Sequence, residues 1–185
     1  MRTNYLSALF AHNAPLALNA SVVFEQEYHG VEGDSASCAE LYALLSSLSG
    51  LPIRQGIAVT GALNQHGEVL PVGGINEKIE GYFRVCETLG LDGHQGVLIP
   101  SRNRRHLMLD RRVVSAVERG QFYIYSAERV ADGMELLMGL PAGVCDDEGV
   151  YPHASVLGRA QKTLLSYRRA CIASEHPKPA RKHLR

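Results

Sequence analysis

Two stretches decide how this chain is read: GVEGDSAS at residues 30–37 and GEVLPVGGINEKIEG at residues 67–81. In the first, a glycine-flanked loop delivers Ser35 to the start of a helix. Ser37 and Glu40 have the spacing of a capping box, and Leu41, Leu44, Leu45 and Leu48 make an apolar stripe that Gly50 and Pro52 end. A serine at such a junction lies near backbone N–H groups and the positive helix end, which suit a developing oxyanion. Capping is the competing role for Ser35 and Ser37. In the second stretch Gly73 and Gly74 permit a tight turn before a helix that carries Lys78. A lysine there is ordinarily a solvated charge. To serve as a base, an amine must give up its proton near neutrality, and bringing it down from about 10.4 costs about 4 kcal/mol. Val72, Ile75 and Ile79 are the apolar neighbours that would supply the dry setting this needs.

The rest of the chain alternates strands and helices around these two points. LALNASVVFEQ (16–26) alternates Leu16, Leu18, Ala20, Val22 and Phe24, the pattern of a half-buried strand. GIAVTGAL (56–63) and GEVLPVGG (67–74) read as two strands about the turn Asn64–Gly67. A helix is predicted over 76–89, closed by Gly90, and VLIP (97–100) reads as a short buried strand. Two short helices are predicted over 102–119, a strand at FYIY (122–125) and a helix over 127–138. The order implies an α+β or α/β domain over residues 1–140. Residues 141–185 read as a linker, a surface helix over 154–174 and a basic tail.

Composition narrows the function. The chain has 185 residues, 45% hydrophobic and 21% charged, enough apolar content for a packed core. Its formal net charge is zero, which gives no electrostatic pull toward nucleic acid or an anionic membrane. No apolar run has the length of a membrane span. Cys38, Cys86, Cys145 and Cys171 form no C-x-x-C pair, so free thiols in a reducing compartment are expected and a zinc site is not.

GDSAS, AVTG, GEVLPVGGINEK and VLIP, in this order, resemble the proteolytic domain of the Lon proteases over roughly residues 16–140. The run Glu-Gly-Asp-Ser-Ala-Ser is similar to the LonB-like and Lon-related branch. The 43 positions between Ser35 and Lys78 match the family spacing. The resemblance implies a serine endopeptidase in which Ser35 is the nucleophile and Lys78 its base, with Thr60 orienting the lysine. It places Glu32 and Asp34 as acidic supporting residues beside the nucleophile. It further implies an α+β fold like domain 2 of ribosomal protein S5, a ring-shaped homo-hexamer, a cytoplasmic setting and unfolded polypeptide substrates.

A complete family member also carries an AAA+ ATPase module that binds ATP and magnesium. No G-x-x-x-x-G-K-[ST] run occurs in this chain, so no cofactor is expected within it. Only 34 residues precede Ser35, which implies a domain truncated at its N-terminus.

Four other readings compete. GDSAS is one residue away from the G-x-S-x-G elbow, but the chain is short for an α/β-hydrolase with an acid and a histidine downstream. Arg102, Arg104, Arg105, Arg111 and Arg112 form a basic cluster of the kind an S5-like RNA-binding module would use, although no aromatics interleave it. A catalytically inactive Lon-like scaffold is the third. Cys38 as nucleophile is the fourth, and it has no histidine in a partner motif. His29 reads as a solvated loop residue. Finally, the carboxylates beside Ser35 suggest a latent state in which Glu32 or Asp34 sits against the Lys78 ammonium and Ser35 turns away.

Overall fold

The computed structural model describes residues 2–10, 18, 20–22 and 33–175. A short N-terminal helix α1 (Arg2–Phe10) places Leu6 in the core. Helix α2 (Ser37–Ser49) forms where the leucine stripe predicts it, and Gly50 ends it in the left-handed region (φ 66°), its N–H donating to the Ser46 carbonyl. Strand β1 (Ile57–Val59) follows. The stretch 56–63 is not one strand: it breaks at Thr60–Gly61, and β2 (Ala62–Leu63) pairs antiparallel with β3 (Val69–Leu70) in a separate hairpin. The physical reason is that the Thr60 N–H donates to the Leu98 carbonyl and Gly61 turns its backbone groups toward residues 35 and 38, away from the hairpin.

Helix α3 (Ile75–Leu89) carries Lys78 in its first turn. Strand β4 (Gly96–Pro100) is buried along its whole length, as a strand covered on both faces must be. It leads through a 3-10 helix (Ser101–His106) into α4 (Arg111–Glu118), whose N-cap Asp110 side chain accepts from the Arg112 N–H. Strand β5 (Tyr123–Ala127), α5 (Val130–Met138) and α6 (Val156–Glu175) complete the order.

β1, β4 and β5 form a parallel sheet in the order β1-β4-β5, with Val59 opposite Leu98 and Leu98 opposite Tyr125. Alternation along β4 divides the core. Leu98 joins α2, α5 and α6 on one face, while Val97 and Ile99 join α3 and α4 on the other. On that second face Phe83 meets Phe122 edge-on, with ring centroids 5.2 Å apart. The fold class is therefore α+β: helices on a small parallel sheet with a separate antiparallel hairpin.

Helix α6 departs from a simple surface helix. Val156, Leu157, Ala160 and Leu164 are buried in the cluster that holds Leu41 and Leu45 of α2, and residues 165–174 are exposed. Of the strand expected over 16–26, only residues 18 and 20–22 are described, and none of them is in a strand. The basic tail after Glu175 lies outside the described residues.

Candidate active site

The seryl segment is built without the expected capping box. Gly33 turns the chain in the left-handed region (φ 84°), and the helix cap is Ala36, which offers no side-chain acceptor. Ser37 is already helical. Backbone carbonyls stand in for the missing cap: the Ser37 N–H donates to the Asp34 carbonyl at 3.0 Å and the Cys38 N–H to the Gly61 carbonyl at 3.1 Å. Among the described residues no acceptor takes the Ser35 or Ala36 N–H.

Thr60 continues the parallel ladder beyond β1, its N–H donating to the Leu98 carbonyl at 3.1 Å. Its Oγ1 donates to the Ser35 carbonyl at 3.2 Å. On α3, Gly74 takes the left-handed conformation (φ 63°) at the cap, and the Lys78 N–H donates to the Gly74 carbonyl at 3.0 Å. The lysine side chain then reaches Ser35 Oγ at 2.9 Å and Thr60 Oγ1 at 3.5 Å. The structure thus brings three of the five sequence-predicted residues, Ser35, Thr60 and Lys78, to one point. They open onto a cavity of about 300 Å³ with apolar walls that include Ala36, Ala58, Val97 and Ile99.

The other expectations fare differently. Asp34 is exposed and forms no ion pair with Lys78 among the described residues, while Glu32 and His29 lie outside them. The latent arrangement with Ser35 turned away is not the one observed: Ser35 faces Lys78, its carbonyl held by both the Gly61 N–H and the Thr60 hydroxyl. The dry setting is also only half realised. Ile75 and Ile79, four residues apart, turn inward together, and Lys78, one position before Ile79, emerges on the exposed flank. Cys38 is buried at 1% exposure, and burial pushes its thiol up to about 12, so it offers little thiolate at neutral pH. Among the described residues no group of histidine, cysteine, aspartate or glutamate could hold a metal ion. No helix among them is long and apolar enough to cross a membrane.

The basic cluster is divided rather than continuous. Arg102, Arg104 and Arg105 line a cavity of about 410 Å³ that also holds Glu68 and Glu128. Arg112 instead pairs with Glu87 at 3.1 Å and with Asp110 at 3.6 Å.

Sequence reasoning overlooked two residues. Asn103 is buried, accepts from the Val72 N–H at 3.0 Å and donates to the Val72 carbonyl at 2.9 Å, bracing the approach to Gly73, Gly74 and α3. Nothing local marks it, because its partner is 31 residues away. Gly61 does carry a signal, as a glycine inside an otherwise strand-like run.

Residues 29–138 match the family described as Lon protease (S16) C-terminal proteolytic domain. The chain belongs to that family. It is similar to the putative Lon protease homolog of Escherichia coli (strain K12), 50% identical over 72% of this chain and 22% of the relative. The corresponding homolog of Haemophilus influenzae is 46% identical over the same shares. An archaeal Lon protease of Pyrococcus abyssi is 38% identical over 63% of this chain and 10% of the relative. The match therefore spans less than a quarter of these Lon relatives' own length. The Lon family match begins before Ser35 and ends at the last residue of α5, so all of α6 lies beyond it.

Proposed function

We propose that this Lon-family chain is the peptide-cleaving part of an ATP-dependent serine endopeptidase, with Ser35 as nucleophile and Lys78 as general base. The observation that carries the reading is the 2.9 Å contact between Lys78 Nζ and Ser35 Oγ at the mouth of an apolar cavity. The distance lies within the reach a base needs for the proton it abstracts. Neutral Lys78 takes the hydroxyl proton while Ser35 Oγ bonds to the peptide carbonyl carbon. The ammonium then protonates the leaving amine, and the acyl group remains on Ser35. Water, deprotonated by the same amine, releases the acyl group and restores the hydroxyl. Thr60 orients Lys78 through its Oγ1. The Ser35 and Ala36 N–H groups are the donors available to the oxyanion. The apolar cavity walls suit a side chain of an unfolded polypeptide substrate.

On this reading ATP and magnesium belong to an AAA+ module outside this chain, which feeds unfolded chains to a homo-hexamer. The described cysteines are free, in keeping with a cytoplasmic setting.

The test is hydrolysis of an unfolded protein substrate together with labelling by a fluorophosphonate. Ser35→Ala should abolish both and leave the fold intact. Lys78→Arg should lower the rate about as far as Lys78→Ala, by about four orders of magnitude, because arginine keeps the charge but cannot become a base. An active Lys78→Arg variant would remove the lysine from its role, and retained hydrolysis in Ser35→Ala would remove the serine.

A further inference from the structure

We infer that Gly61 is a positioning residue: its lack of a side chain sets the separation between Ser35 and Lys78. The inference rests on the Ser35–Lys78 reading and names a residue that acts through it.

Residues 60–62 grip the nucleophile segment from one side. The Gly61 N–H donates to the Ser35 carbonyl at 2.9 Å, and the Gly61 carbonyl accepts from the Cys38 N–H at 3.1 Å. Cys38 Sγ donates to the Ala62 carbonyl at 3.5 Å, and Thr60 Oγ1 takes a second position on the Ser35 carbonyl. One residue thus uses both of its backbone groups to anchor the first turn of α2 and the Ser35 that precedes it.

In the direction a side chain would take, Gly61 lies between Cys38 of α2 and Val69 of β3. A Cβ built at this position would lie 3.0 Å from Cys38 Sγ and 3.1 Å from Val69 Cγ1. Both neighbours are buried, Cys38 at 1% and Val69 at 6% exposure, so neither can swing into solvent. Cys38 belongs to the helix that presents Ser35. Val69 belongs to the strand that runs, through Pro71 and the Asn103-braced Val72, into the helix that presents Lys78. Gly61 stands at the seam between the two carriers. A single methyl group there wedges them apart, and the displacement falls on the 2.9 Å contact. The three atoms nearest such a methyl belong to Cys38 and Val69, and none belongs to the apolar cavity walls Ala58, Val97 and Ile99.

The experiment compares this chain with Gly61→Ala and with the double variant Gly61→Ala/Cys38→Ala, each held well below its melting transition. In Gly61→Ala the fluorophosphonate labelling rate and kcat should fall about tenfold to a hundredfold, the range expected of a misplacement below about 1 Å, with KM within about twofold. The double variant, which removes the sulfur that the methyl meets, should recover most of that loss. A fall in KM-dependent binding without a fall in kcat, or no recovery in the double variant, overturns the positioning role.

Failure of the proteolytic reading shows up separately, as an unmodified parent chain that fluorophosphonate does not label at Ser35. Crystal structures of the parent and of Gly61→Ala then decide the geometry without any activity. A Ser35–Lys78 separation that lengthens in the variant supports the spacer role, and one that stays at hydrogen-bond length overturns it.

Discussion

At the scale of single residues, the candidate site is a set of short contacts between positions distant in sequence. Ser35 and Lys78 each sit at a glycine-marked turn before a helix, but it was the resemblance carried by the linked motifs that singled them out, and Thr60 followed from the resemblance of the AVTG run. Their meeting was not legible from propensity, since it joins side chains 43 positions apart in sequence. The capping box over Ser37 and Glu40 was a plausible local pattern that lost to the carbonyls of Asp34 and Gly61. Cys38 makes a prediction of its own. Burial raises its thiol from 9.0 to about 12, so the folded chain holds that proton more tightly than the unfolded chain. The resulting stabilisation is complete below about pH 9, declines as the unfolded thiol ionises, and is lost as pH rises through about 12. Thermal melts at pH 8, 10 and 11 should therefore show the parent losing more stability with rising pH than Cys38→Ala. Equal slopes would mean that the buried thiol contributes nothing.

At the scale of elements, periodicity located α2, α3, β4, β5 and α5 to within a few residues, because each pairs a regular apolar pattern with a glycine or proline boundary. It did not find the break between β1 and β2. Thr60 and Gly61 are strand-compatible locally, and only their long-range bonds to residues 35, 38 and 98 pull them out of the hairpin. The segment between β4 and α4 is likewise defined by distant partners. Asn103 holds Val72, Asn76 donates to the His106 carbonyl and accepts from the Met108 N–H, and Glu80 accepts from the Asp110 N–H. These contacts tie residues 103–110 to the start of the lysine helix. Asn103→Ala leaves the Val72 N–H and carbonyl without their partner and should cost about 1–3 kcal/mol of stability. Chemical denaturation would read it directly, and an unchanged midpoint would show that water replaces the amide.

At the scale of the whole molecule, two apolar clusters lie on opposite faces of one sheet, and α6 completes the first of them. Its contribution was the least legible feature, because Val156, Leu157, Ala160 and Leu164 follow a linker-like stretch and read as the inner face of any surface helix. Leu157→Ala should cost about 2–5 kcal/mol, as truncation of a buried leucine does. Removing residues 141–185 should destabilise α2 further by uncovering Leu41 and Leu45. The melting temperature is the measurement for both, and a shortened chain as stable as the parent would show α6 to be dispensable. The same layering has a mechanical side. Ser35 lies just ahead of the helix packed into one cluster and Lys78 on the helix packed into the other, so their separation registers the alignment of two layers. A slip of about 1 Å between them would carry the contact past hydrogen-bond range. On the proposed reading, shear between the layers would uncouple the chemistry with no residue of the site altered.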